Sequence, residues 1–172
     1  MKKVLFLIFL TYLILPAVRA ERFRQNGLEF DYPDTFILQV AKGEGMEAIN
    51  CFSPDSTYTI IITHMKNALL SQLPNGDELC LEALRSAEQT LRKDPNYSDI
   101  RMEEPQAVGA TYVAGERAAF SLTDPKGRKH GFIFATITGE HMLLAVALTD
   151  AEKNLDILDG FIYGMRLQTP EE

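Results

Sequence analysis

No Cys-x-x-Cys, no closely spaced histidine pair and no Gly-x-Ser-x-Gly elbow occur in this chain, and each absence removes a class of chemistry. The two cysteines, Cys51 and Cys80, lie far apart, so a thioredoxin-like redox motif is missing. The three histidines, His64, His130 and His141, show no His-x-x-x-His or comparable metal spacing and read as strand-end or surface residues. Of these, His64 is able to face a carboxylate in space, which spacing does not decide. Without the elbow no serine stands out as a nucleophile. Positive charge is also scarce: 17 Lys and Arg stand against 24 Asp and Glu, a net charge of −7. Nucleic-acid phosphates demand a basic patch, so nucleic acid is not an expected partner. Internal repeats, low-complexity tracts and long linkers are absent too, and no cofactor is expected.

What is present begins with "MKKVLFLIFLTYLILPAVRA". A charged start (Lys2, Lys3), an apolar run from Val4 to Leu15, the breaker Pro16, and Val18 and Ala20 ahead of Glu21 make a secretory signal peptide. Cleavage is expected between Ala20 and Glu21. The apolar run is short of the roughly 20 residues of a membrane span, which weighs against an uncleaved anchor. No cysteine lies near the junction, which weighs against a lipoprotein. Without Lys2, Lys3 and Arg19 the chain keeps 14 basic residues against 24 acidic ones, about −10. The later run "MLLAVAL" suits a buried strand, so no stable membrane insertion is expected after signal removal. The expected organisation is a signal peptide over 1–20 and a single domain over 21–172, exported to the periplasm or secreted.

Period-two and period-3.6 patterns then alternate along the chain. Leu28, Phe30 and Tyr32 alternate with Glu29 and Asp31 as in a half-buried strand, "YPDT" supplies a turn, and "FILQV" runs back as the second arm of an opening hairpin. Tyr32 and Phe36 are expected in the core. "MEAINCF" and "TYTIIITHM" are further strands. Cys80, Leu84, Ala87 and Leu91 instead recur at helical spacing, which predicts a helix over 77–93, with Asn75 or Asp77 as cap and Asp94-Pro95 as stop. Strands resume with "SDIRMEEPQAV", "GERAAFSLTD", "KHGFIFATIT" and "HMLLAVALT", joined by turns at Asp124–Gly127 and Gly139-Glu140. The last strand is apolar on both faces, so both faces must be covered. One cover is the helix over 77–93; the other is "DAEKNLDILDGFIYGM", with Asp150 as its expected cap. The fold class is α+β: an α/β/α sandwich with a central, mostly antiparallel sheet flanked by helices.

The remaining candidates each carry a plainer reading. Cys51 and Cys80 either form a disulfide, worth about 3.6 kcal/mol in the chain-entropy model, or are two separately buried thiols. Gly43-x-Gly45-x-x-Ala48 matches a dinucleotide fingerprint formally, but the segment after it is too short to be the required helix, and a hairpin turn explains the glycines better. Asp31 with Asp34, and Glu103-Glu104, supply oxygen ligands suited to a hard cation, yet solvated acidic edges are commoner, and no metal site is assigned. Asn96-Tyr97-Ser98 is a glycosylation sequon whose use depends on the host. The Lys-Lys start favours a bacterial envelope.

Three stretches also carry a resemblance. "GLEFDYPDTF", "GERAAFSLTDPKGRKHGFIFATITGEHMLLAVAL" and "LDILDGFIYGMRL" are similar in hydrophobicity and turns to the PsbP-like superfamily, which includes the extrinsic PsbP of photosystem II, a Ran-binding import factor and bacterial DcrB-like proteins. The resemblance implies an α/β/α sandwich and protein-binding, accessory or assembly roles with no common enzymatic activity. Photosystem and Ran binding do not carry over to a chain with a short secretory leader. The function expected is an exported, non-enzymatic domain that binds or assists another protein of the cell envelope. The alternatives are a small-ligand carrier or enzyme with a pocket between sheet and helix, and a subunit that oligomerises through a sheet edge.

Overall fold

A computed structural model describes residues 19–73, 76–109 and 113–168. Most of the expected leader and the candidate cap Asn75 lie outside the described residues. In chain order the strands and helices are β1 (Ala20–Gln25), β2 (Leu28–Pro33), β3 (Ile37–Gly43), β4 (Met46–Phe52), β5 (Tyr58–Lys66), α1 (Gly76–Lys93), β6 (Ser98–Met102), β7 (Gln106–Gly109), β8 (Ala114–Asp124), β9 (Gly127–Thr138), β10 (His141–Thr149), α2 (Leu155–Tyr163) and β11 (Arg166–Leu167). Short 3-10 turns cover Ala68–Gln72 and Glu152–Asn154. Eight strands build an antiparallel sheet in the order β3-β4-β5-β10-β9-β8-β6, with β7 also paired to β8. A smaller sheet has the order β1-β2-β11.

The opening hairpin differs from the expected one. β2 pairs with β1, Phe23 opposite Phe30, and not with β3, which belongs to the large sheet. Asn26 and Gly27 cause this: both are left-handed (φ 48° and 85°), the geometry of a type I′ turn whose twist matches that of a hairpin. "YPDT" instead carries the chain from one sheet to the other. Asp34 N–H donates to the Arg19 carbonyl at 2.9 Å, and Phe36 N–H to the Pro33 carbonyl at 2.9 Å.

Two cores lie on opposite faces of the large sheet. On one face Cys80 and Leu84 of α1 pack on Ala118, Phe120, Leu122, Ile133 and Leu148, as the helical stripe predicts. On the other, Leu158 and Ile162 of α2 share the cover with the small sheet, whose Phe23, Leu28 and Phe30 meet Ile62, Phe132 and Leu143. Both faces of β10 are therefore occupied, Leu143 and Ala145 in one core and Leu148 in the other. Arg117 of β8 ties α2 down: its guanidinium donates to Asp159 at 3.1 and 3.3 Å and lies 4.3 Å over the Phe132 ring. Asp150 does not cap the last helix. Lys129 binds its carboxylate, and Asn154 stands at the helix start without a side-chain cap bond.

Close packing leaves no room at Gly131. A Cβ there would stand 2.1 Å from the Ala147 carbonyl oxygen and 3.0 Å from Phe120 Cζ, so β9 and β10 would have to part at the centre of the sheet. Gly131→Ala is expected to cost about 3 kcal/mol, the upper range for overpacking, read as a fall in the urea midpoint.

Candidate functional site

At one end of the large sheet three buried polar side chains stand on the parity that is otherwise apolar. Glu47 precedes Ile49 and Cys51 on the inner face of β4, and His64 follows Ile60 and Ile62 on that of β5. His141 precedes Leu143 and Ala145 on β10. The register sets Glu47 opposite His64, and His141 opposite Lys66. His64 Nε2 and His141 Nδ1 are 2.9 Å apart, the rings stacked 9° from parallel. Residues 64, 141 and 47 are only 1%, 0% and 4% exposed, so this is a buried network; His141 does open β10 at a strand end, as spacing suggested, but neither histidine is a surface residue.

The small sheet closes this network from above. The turn residues Gln25 and Asn26 donate their side-chain amides to Glu47 Oε1, each at 2.6 Å. Gly27 packs against the His141 ring so closely that a Cβ would lie 2.7 Å from Cε1. His141 Nε2 lies 3.1 Å from the Gln168 carbonyl, which can only accept, so Nε2 carries a proton. In the neutral ring Nδ1 then accepts from His64 Nε2–H, and His64 Nδ1 is left as an acceptor 3.7 Å from Glu47 Oε2. That carboxylate oxygen has no hydrogen-bond partner in the structure. Burial, then the neighbouring His141, lowers the His64 pKa below its ordinary value against the pull of Glu47. Burial likewise lowers that of His141. Beside Glu47 and His64 a cleft of about 270 Å³ opens between the Asn26 and Gly43–Gly45 turns, flanked by Lys42 and Lys66.

A second feature lies on the opposite face. α1 packs over β9, β8 and β6, and among the described residues no helix packs closely on the same side of β3, β4 and β5. Ile37, Met46 and Ile61 are 43%, 43% and 38% exposed there, and the 3-10 turn beside β10 adds Leu69 at 64%. Among the described residues β3 has one sheet neighbour, β4, so its outer edge is open. An apolar groove of about 240 Å³ also runs beside α2, between Phe36, Tyr58, Ile157 and Phe161.

The other residues singled out by sequence are dispersed. Cys51 and Cys80 are free and belong to opposite cores, with the large sheet between them. No disulfide joins them, and burial pushes the thiols up to about 12 and about 11. Gly43 and Gly45 turn the β3–β4 hairpin, Gly43 opposite Met46. Asp31 is bound by Arg22 at 2.7 Å, and Asp34, Glu103 and Glu104 are exposed. His130 is half-buried in β9. Asn96 is exposed, its amide donating to Asp94 at 2.9 Å. Ala20 and Glu21 are exposed at the start of β1, where Glu21 accepts from the Tyr32 hydroxyl at 2.7 Å. That bond, ahead of burial, raises the phenol pKa to about 12. Tyr32 and Phe36 are half-buried against the core. Spacing missed Glu47 and the Asn26-Gly27 turn; a charged residue on the buried parity of "MEAINCF" was the available signal.

No family model matches the chain, and no curated protein matches it. Solved structures do. Cyanobacterial PsbP (CyanoP) from Synechocystis superposes with a TM-score of 0.61 at 12% identity, over 90% of this chain and 96% of that one. The Ran-binding protein Mog1p of Saccharomyces cerevisiae gives 0.53 at 8% identity, over 88% and 96%. A Bacteroides thetaiotaomicron protein gives 0.57 at 15% identity, over 88% of this chain but 50% of that one. The chain thus has the PsbP-like fold expected from its three stretches.

Proposed function

We propose that this chain is an exported, non-enzymatic accessory domain that binds another protein of the cell envelope through the uncovered face of β3–β5. The observation that carries the reading is that face itself, where Ile37, Met46 and Ile61 stand exposed beside an open strand edge. Exposed large apolar side chains on an uncovered sheet face favour a partner site. An open edge offers main-chain donors and acceptors, so the partner is an extended polypeptide segment that adds a strand and lays alternate apolar side chains on the sheet. The yeast protein of this fold is by name a Ran-binding protein, which supports protein recognition by analogy of fold alone. Export rests on the leader, whose removal after Ala20 would start the mature chain at Glu21, one residue into β1.

Photo-crosslinking in the native host tests this. A crosslinkable residue at Ile61 is expected to capture one defined envelope protein, and one at exposed Glu82 on α1 is not; Ile61→Asp, paired with a reporter at Ile37, is expected to cut the yield at least tenfold. The same background from both positions overturns the reading. So does a product that is only a second copy of the chain, which would make the face a self-association surface.

A further inference from the structure

The cleft between the Asn26 and Gly43–Gly45 turns lies on the opposite side of the large sheet from the docking face and calls for a different occupant. Glu47 and His64 both line the cleft, and each carries an acceptor. Glu47 Oε2 is unpartnered in a side chain that is 4% exposed, and His64 Nδ1 lies 3.7 Å away, left without a proton by the bond order that the Gln168 carbonyl imposes through His141. Neither acceptor satisfies the other. One group with two polar hydrogens can satisfy both, and a primary ammonium also neutralises the buried carboxylate, which is costly to leave unpaired.

The flanks carry the opposite sign. Lys42 faces Glu47 across the β3–β4 pair, and Lys66 follows His64 by two residues on β5, so both project from the side of the sheet that bears Glu47 and His64. Both line the cleft and are exposed. A ligand with only an ammonium would meet two positive charges at the mouth, and one with only a carboxylate would meet Glu47. A molecule carrying both groups matches both ends. At about 270 Å³ the cleft falls just below the roughly 300–1,000 Å³ of sites for drug-sized ligands, so its occupant is small.

We propose that this cleft is a binding site for a small zwitterion of the α-amino-acid class. The ammonium sits between Glu47 Oε2 and His64 Nδ1, and the carboxylate pairs with Lys42 and Lys66.

The experiment is an NMR titration of the purified protein with glycine and with L-alanine, set against methylamine and acetate, which carry one charged end each. Saturable shifts of the His64 ring resonances are expected with both amino acids, at affinities at least tenfold tighter than with either single-ended probe. Glu47→Gln, whose amide oxygen can still accept from Gln25 and Asn26, is expected to abolish amino-acid binding with the fold intact by circular dichroism. Should that variant not fold, exposed Lys66→Ala serves: it is expected to weaken glycine binding at least fivefold without weakening methylamine. No saturable shift with either amino acid, or equal affinities for glycine and methylamine, overturns the proposal. So does a folded Glu47→Gln protein that binds as tightly as the parent, or a Lys66→Ala protein with unchanged glycine affinity.

Discussion

Phe30→Ala is expected to cost about 3–5 kcal/mol, as large-to-small changes at fully buried aromatic sites do. The residue is 1% exposed and stands where three elements meet. Its ring stacks on Phe23 of β1 at 4.8 Å, meets Phe161 of α2 at 5.1 Å, and lies 6.1 Å from Tyr32 along its own strand. Phe23 is held by pairing to β2 and Phe161 by its helix, so neither can collapse far into the space left behind, and the cavity adds to the lost transfer energy. The effect should not stop at the small sheet. β1 and β2 carry the Asn26-Gly27 turn that binds Glu47 and covers His141, so a loosened hairpin opens the polar network to water. Denaturant unfolding should show a lower midpoint with an unchanged slope, whereas Ile157→Ala, at a position 56% exposed, should shift stability by no more than about 0.5 kcal/mol. A loss under about 1 kcal/mol for Phe30→Ala would show that the small sheet lies outside the cooperative fold.

The same hairpin shows where sequence reasoning reached and where it stopped. α1 was legible because its apolar residues recur on one stripe, and the β8–β9 turn because Asp124 Oδ1 accepts from Lys126 and Gly127 N–H, a local bond that local sequence specifies. β1 was not legible: only Phe23 of "AERFRQ" faces the core, and Arg22 and Arg24 face solvent, so alternation is weak. The Asn26-Gly27 pair was the signal, since turn chemistry rather than hydrophobicity decides which strands of the chain pair first. The polar network lay further beyond reach. His64 and His141 are 77 residues apart and meet only because β5 and β10 are neighbours in one register. A slip of one residue would turn His64 to the other face and dissolve the site. What sequence did hold was parity, a charged or imidazole side chain ending each of three buried apolar rows.

Acidification should weaken the fold well before its carboxylates titrate. His64 and His141 are buried with their pKa values below 6.5, so between those values and 6.5 the unfolded chain binds protons that the native one excludes. Stability is therefore full above about pH 6.5 and falls as pH drops through the window below it, by about 1.4 kcal/mol per pH unit for each proton so excluded. Every group around the pair enters the balance. Desolvation leads at both rings, Lys66 opposes protonation of each, Glu47 favours it at His64, and the Gln168 carbonyl and Glu140 favour it at His141. The carboxylates act lower: Asp31 and Asp55 are held below the usual Asp value by their hydrogen bonds to Arg22 and Ser53, Asp55 at about 2, and their contributions are lost only as pH falls further. Urea unfolding measured from pH 7.5 to 5 separates the two windows. The expected result is a midpoint that drops between 6.5 and 5 and a slope that flattens in His64→Gln, whatever that variant's absolute stability. A midpoint that rises as pH falls from 7.5 to 6.5 would mean that Glu47 holds His64 charged in the native state, turning the network into a buried ion pair and removing the bare acceptor on which the amino-acid site depends.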